Sequence, residues 1–292
     1  MLPLDLKPTS VPFEKTTPKK LKGKDKVAVI IPTKGNLHLL FDCINSFYTE
    51  CDPSNFTIFV ADTGSTDDEI IEIGKFISLR DNIKLIKYDY YHFAKINNDV
   101  VKNYVSDEFN YLLFCNNDIK ILNDIIYKMT NVFNKNNIVG TVGGRLYFGN
   151  NTLQHNGASI LFDPIKSLIS VEHDFYKSYY KLNPSSHKTL GNTGALLMTR
   201  HNVFKKLNGF DESFDFWEDF NYCLKCLFIG YVNINEGTSV AYHYESQTRK
   251  FINEKSDLES WVKMEKMISD YRNYLQEYIK YTNIEKYDNN WV

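Results

Sequence analysis

Asn116, Asn117 and Asp118 carry the clearest chemical signal in the chain. They follow directly on Tyr111-Leu112-Leu113-Phe114-Cys115, and a continuous apolar run of this length is the pattern of a strand buried on both faces. An acidic side chain at the carboxyl end of such a strand, in an α/β pattern, faces the crevice where open parallel sheets take ligands. Its oxygens suit a hard divalent cation bridging phosphates. The competing reading is a plain turn, because Asn and Asp favour turns without any ligand. Asp62, with Thr63-Gly64-Ser65 behind it, ends a second apolar run over 57–60. Two strand-end carboxylates opening on one crevice favour a metal and nucleotide site over a turn. For Asp62 taken alone, an Asx-turn stays open.

The elements that must position these residues alternate regularly. Residues 27–31 read as a strand broken by Pro32-Thr33-Lys34-Gly35. Asn36 is placed to cap a helix whose apolar face is Leu37, Leu40, Phe41, Ile44, Phe47 and Tyr48. Thr66 and Glu69 have the spacing of a capping box for a helix through Ile77. Residues 83–88 read as a third strand and 94–104 as a helix, and a further helix carries Ile125, Ile126, Met129, Val132 and Phe133. Such alternation implies right-handed crossovers and a largely parallel sheet. Beyond about residue 138 the pattern weakens into strand-like runs (141–148, 195–199) between loops rich in Asn, Gly, His and Ser, and this half is expected to supply the acceptor side. From Glu254 onward, Leu258, Trp261, Val262, Ile268, Tyr271 and Leu275 suggest one long helix. Residues 1–26, with four prolines and a cluster of lysines at the end, read as a solvated basic leader. The expected organisation is a leader over 1–26, a domain over 27–250 in two halves (27–120 and 121–250), and a helical extension over 251–292.

Composition excludes several classes. The 292 residues are 43% hydrophobic and 24% charged, enough for a large core. A formal net charge of −2 argues against bulk nucleic-acid binding by phosphate neutralisation. No Gly-x-x-x-x-Gly-Lys-Ser/Thr loop and no Gly-x-Gly-x-x-Gly after a strand is present, so neither an ordinary ATPase nor a dinucleotide dehydrogenase is supported. Five cysteines form an odd set. Cys223 and Cys226 make a C-x-x-C inside an amphipathic helix with no second pair at zinc spacing, and they read as core thiols. No apolar run reaches the roughly 18 residues of a membrane span, and no signal peptide opens the chain. A cytoplasmic location is expected, with the basic leader and the C-terminal helix as the segments available to the inner face of the plasma membrane or to a second copy of the chain.

Taken in order, these segments resemble the inverting glycosyltransferases of family 2, over roughly residues 27–250. Residues 27–33 look like the family's opening strand, and Asp62-Thr63-Gly64-Ser65-Thr66-Asp67 looks like its nucleotide loop. Phe93-Ala94-Lys95-Ile96-Asn97-Asn98 resembles a donor-side motif, and Asn116-Asn117-Asp118 resembles its D-x-D metal motif. Gln154-His155-Asn156-Gly157, Thr193-Gly194-Ala195, Gly209-Phe210-Asp211-Glu212, Phe216-Trp217-Glu218-Asp219 and His243-Tyr244-Glu245-Ser246 with Arg249 complete the series. The similarity is greatest to the rhamnosyltransferase-like branch that builds bacterial cell-surface polysaccharides. It implies a GT-A fold: α/β, Rossmann-like, with a mostly parallel central sheet flanked by helices, here carrying a C-terminal helical extension.

The resemblance also implies roles. A nucleotide-sugar donor leaves as a diphosphate, so a divalent cation, Mn²⁺ or Mg²⁺, neutralises its developing charge. Asp118 and His243 are the implied metal ligands. Pro32, Thr33, Asp62, Asp67, Lys95, Asn98, Asn116, Asn117, Gly194 and Arg249 fall on the donor side, with Arg249 suited to pair bidentately with the diphosphate. Asn116 stands where the usual motif has its first acid, so the site carries less negative charge. An inverting transfer is one in-line displacement needing a general base and no covalent nucleophile. Asp219 is that base and Glu218 the next candidate, since Asn221 stands where members often place a second acid. A helix N-terminal charge is the structural alternative for Asp219. Trp217 and His155 are weaker acceptor-side candidates. The donor would be dTDP-L-rhamnose or a UDP-hexose, and the acceptor a glycan or lipid-linked hydroxyl. Two other classes stay open: a non-catalytic nucleotide-sugar-binding module of a larger synthase, favoured by Asn116 and Asn221, and a nucleotidyltransferase, for which Pro32-Thr33-Lys34-Gly35 is a poor phosphate loop.

Overall fold

The computed structural model describes residues 10–23, 25–163, 168–178, 185–244 and 254–281. The first half follows the alternation of its sequence: β1 (Val27–Thr33), α1 (Leu37–Glu50), β2 (Phe56–Asp62), α2 (Asp67–Ile77), β3 (Ile83–Lys87), α3 (Phe93–Tyr104) and β4 (Tyr111–Cys115). Then come β5 (Ile119–Ile121), α4 (Ile125–Lys135), β6 (Val139–Tyr147), β7 (Leu153–His155), β8 (Ala158–Asp163), β9 (Leu168–His173), β10 (Ser186–Thr189), β11 (Leu196–Arg200), α5 (His201–Lys206), α6 (Glu218–Phe228), β12 (Val232–His243), α7 (Glu254–Asp270) and β13 (Ile279–Tyr281).

The main sheet runs β10-β12-β6-β11-β4-β1-β2-β3, with β5 on β12 and β7 on β6. The β4-β1-β2-β3 half is parallel throughout. In β1, alternate side chains enter two cores. Val27, Val29 and Ile31 pack with Leu40, Ile44 and Phe47 of α1 and Met129 of α4, while Ala28 and Ile30 pack with Ile96 and Val100 of α3 and Phe204 of α5. This is the period-two pattern of a strand covered on both faces. The register places Thr33 beside Asp62, so the ends of β1 and β2 open together. The capping box of α2 forms as expected, with Thr66 and Glu69 each serving the other's backbone N–H. Asn36 does precede α1, but in a left-handed conformation (φ 49°) and without a side-chain cap.

The second half departs from expectation in three places. Strand β12 spans 12 residues although Asn233, Asn235 and Glu236 interrupt its apolar pattern. Both asparagines are fully buried, and Asn233 donates to the carbonyls of Leu190 and Cys223 and Asn235 to that of Gly144, so their amide N–H groups are satisfied, while Asn235 Oδ1 is left without a partner among the described residues. A second sheet, β13-β8-β9, stands apart from the first. It shares a core with α6 and α7 through Ile160, Leu224, Met264, Ile268 and Leu275. The single long C-terminal helix is in fact α7 followed by a 3₁₀ segment over Arg272–Tyr278 and β13. Residues 10–23 of the leader are mostly exposed but anchored at points along their length. Val11 and Leu21 are buried, Lys19 N–H donates to Asp124, and Leu21 N–H donates to Asn55.

Candidate active site

Strand ends supply the floor of the site. The Asp62 carboxylate is buried and accepts the backbone N–H groups of Gly64 and Ser65 at 3.3 Å, so the loop folds around it as an Asx-turn. Thr63 donates from backbone and hydroxyl to the Thr33 carbonyl. The Thr33 hydroxyl in turn accepts Asn117 Nδ2 at 2.9 Å. Asn116 N–H donates to the carbonyl of Ala195 at 3.0 Å, and the neighbouring Gly194 N–H donates to Asp219 Oδ2 at 2.6 Å. These hydrogen bonds, with the peptide links between chain neighbours, connect the ends of β1, β2 and β4 to Gly194 and Asp219.

Asp118 and His243 meet across β5 and β12, whose register pairs His243 with Ile119. Gln154 Oε1 lies 2.7 Å from His243 Nδ1. An amide oxygen can only accept, so Nδ1 carries a proton and Nε2 is the nitrogen turned to the site. Nε2 lies 3.2 Å from Asp118 Oδ1, a buried atom with no hydrogen bond. Asn116 Nδ2 sits 3.3 Å from the same nitrogen. Two electron-rich atoms at this distance are held by a shared cation, either a proton or a metal. Two neighbouring ligands of an octahedral cation at roughly 2.1 Å lie about 3 Å apart, so the pair fits a divalent ion. Among the described residues no cluster of three His, Cys, Asp or Glu side chains is gathered for a metal. Among the described residues Asp118 and His243 are thus a pair of candidate ligands. Gln154, to which sequence reasoning gave no role, is the residue that sets the tautomer. Its signal was its place beside His155 in a motif of the series.

Asp219 stands in the first turn of α6, next to Glu218. Its Oδ1 accepts Phe220 N–H at 2.7 Å. Gly194 is demanded by space, since a Cβ there would lie 3.0 Å from Phe93 Cζ and 3.3 Å from Asp219 Cβ. The remaining candidates have the following surroundings. Asp67 is exposed at the start of α2, where a carboxylate favours the helix dipole. Lys95 is exposed, with its ammonium 4.8 Å from the Tyr90 ring. Asn98 uses both ends of its amide on the Phe210 backbone and also donates to Glu212, so it clamps the Gly209-Phe210 loop. Trp217 packs on Trp261 instead of opening a sugar platform. His155 is buried, with its Nδ1 2.6 Å from that of His173. Burial, then the neighbouring His173, pushes its pKa well below the ordinary 6.5. Arg249 lies outside the described residues. All five cysteines are free and buried, and burial pushes the Cys223 thiol up to about 12, the behaviour of core thiols.

Residues 28–207 match the model of glycosyl transferase family 2. The uncharacterized protein y4gI of Sinorhizobium fredii is 25% identical over 248 residues, covering 82% of this chain and 26% of that protein. The O-antigen biosynthesis protein RfbC of Myxococcus xanthus is 26% identical over 204 residues, covering 66% of this chain and 15% of its own. The chain thus spans only a minor part of either relative. Among solved structures, GalNAc-T7 with UDP, GalNAc and Mn²⁺ superposes with a TM-score of 0.65 at 13% identity, over 85% of this chain and 49% of that one. The mannosyltransferase PcManGT of Pyrobaculum calidifontis, in complex with GDP-Man and Mn²⁺, gives 0.57 at 14% identity, over 81% and 61%. At such identities the likeness concerns fold, and the fold is the GT-A architecture expected from the sequence. Among the described residues no helix is long and apolar enough to cross a membrane.

Proposed function

This chain belongs to glycosyl transferase family 2, and we propose that it moves a sugar from a nucleoside-diphosphate donor to a hydroxyl of a glycan or lipid-linked acceptor, with inversion, in cell-surface polysaccharide synthesis. The observation that carries this reading is the pairing of Asp118 Oδ1 with Nε2 of His243, 3.2 Å apart at the strand ends. Asp118 and His243 would hold Mn²⁺ or Mg²⁺, which when bound offsets charge on the departing diphosphate. Asp62, Thr33 and Asn117 orient the nucleoside side, and the Gly194 loop admits the sugar close to backbone. Asp219 accepts the acceptor hydroxyl's proton as the new glycosidic bond forms. The two N–H groups on its carboxylate fix its orientation and leave lone pairs for that proton. The likeness to a protein named for O-antigen biosynthesis supports the polysaccharide setting. dTDP-L-rhamnose and UDP-hexoses are the donors to try first.

The test is release of nucleoside diphosphate across a donor panel with Mn²⁺, Mg²⁺ or chelator, each with candidate acceptors supplied. Selective, metal-dependent release from one donor is the expected outcome. Tight nucleotide binding without turnover on any acceptor would instead fit a non-catalytic donor-binding module within a longer synthase, a reading that Asn116 in place of an acid favours.

A further inference from the structure

The start of α6 is strained, and what restrains it is distant in sequence. Trp217 caps the helix with φ 70° and ψ 9° and makes no side-chain cap. A left-handed backbone is costly for a bulky residue and persists only where its surroundings over-determine it. Those surroundings come from α7. The Trp217 indole N–H donates to Asp257 Oδ1 at 3.2 Å, and its ring packs on that of Trp261 with centroids 5.2 Å apart. The same helix and the residue just after it hold the flanking chain: Lys263 donates to the Ser213 carbonyl, Asn221 Nδ2 donates to Met267 Sδ, and Phe228 stacks on Tyr271. Asp219 follows two residues after Trp217, with its carboxylate 2.6 Å from Gly194 N–H. Relaxing Trp217 to the right-handed region would redirect the first turn of α6 and carry Asp219 away from that amide.

We propose that Asp257 and Trp261 are positioning residues for transfer, holding Trp217 in its left-handed conformation and thereby fixing the Asp219 carboxylate against the Gly194 amide. The proposal rests on the reading of Asp219 as the base. It assigns to the segment after the family match, which ends at residue 207, a part in catalysis beyond burying apolar surface.

The test compares Trp261→Ala, Trp261→Phe, Asp257→Leu and Asp257→Asn in the full chain, by steady-state diphosphate release and by the amide ¹H–¹⁵N resonance of Gly194. Trp261→Ala and Asp257→Leu are expected to lower kcat on the order of 10–100-fold with donor KM within about twofold, the signature of a misplaced group. Both should shift the Gly194 resonance. The Phe and Asn variants, which keep an aromatic ring and an acceptor oxygen, should restore most of kcat and return the resonance. An unmoved resonance with unchanged kcat overturns the proposal, as does a loss of donor binding in step with kcat that the conservative variants do not rescue. If the wild type turns over no donor while Trp261→Ala still moves the Gly194 resonance, the transfer reading fails and the positioning geometry stands.

Discussion

The two walls of the crevice are held by different means. On the donor side, Asp62 is fixed by amides two and three residues on, and Thr33 and Asp62 sit side by side because their strands pair in register. On the acceptor side, His243 reaches Asn116 across 127 positions and Gln154 across 89, and Asp219 hangs from a helix whose start is clamped by α7. The first wall is built by local turn chemistry and neighbouring strands. The second depends on contacts that form only when the whole chain has closed. Substitutions on the acceptor side should therefore alter turnover and metal affinity with little warning in local structure, whereas those on the donor side should register first in nucleotide affinity.

The strongest test of that contrast is Asp219→Asn. It keeps the acceptor oxygen for Gly194 N–H and removes the base, so kcat should fall on the order of 10²–10⁴-fold with nucleotide affinity unchanged in equilibrium titration. Asp118→Ala should weaken apparent Mn²⁺ affinity by on the order of 100-fold and erase the difference between metal-loaded and chelated nucleotide binding. Near-equal affinity with and without metal in the wild type would remove Asp118 from a metal site. Gln154→Leu frees the His243 tautomer and should cost metal affinity roughly 10-fold by the same titration. A smaller effect is expected from Asn98→Ala. Freeing the Phe210 backbone should lower unfolding free energy by about 1–3 kcal/mol in urea, with donor KM unchanged. A raised donor KM at full stability would return Asn98 to the donor side.

The smallest effect concerns pH. The folded-state pKa of His155 lies well below the ordinary 6.5, so the unfolded chain binds the extra proton first. The stability contributed by neutral, buried His155 is complete above about 6.5 and is lost as pH falls from there toward the depressed value. Urea midpoints at several pH values should show this acid-side loss in the wild type and a flatter profile in His155→Gln.

Much of the donor wall was legible before any coordinates. Uninterrupted apolar runs such as 111–115 mark doubly buried strands, and the Thr66–Glu69 capping box is a local hydrogen-bond pattern written in four residues. The acceptor wall hid for equally physical reasons. Strand β12 buries Asn233 and Asn235, whose amides reach carbonyls on other parts of the chain, so its apolar periodicity is broken although the strand forms. Trp217, half-buried, packs on Trp261 of α7, a contact that local sequence does not reveal.

Order, residue type and spacing along the chain determined the alternating α/β half and the strand-end carboxylates Asp62 and Asp118, which are properties of backbone propensity and hydrophobic period acting over a few residues. His243 and Asp219 were singled out by the family resemblance alone. Only the tertiary structure decided that His243 Nε2 faces Asp118, that Gln154 holds the other side of its ring, that Asn98 serves a loop, and that α7 packs on the start of the helix bearing Asp219. Each of those depends on a side chain meeting a partner far away in sequence. Such meetings are selected by packing and hydrogen-bond satisfaction in the closed molecule, which no local pattern encodes.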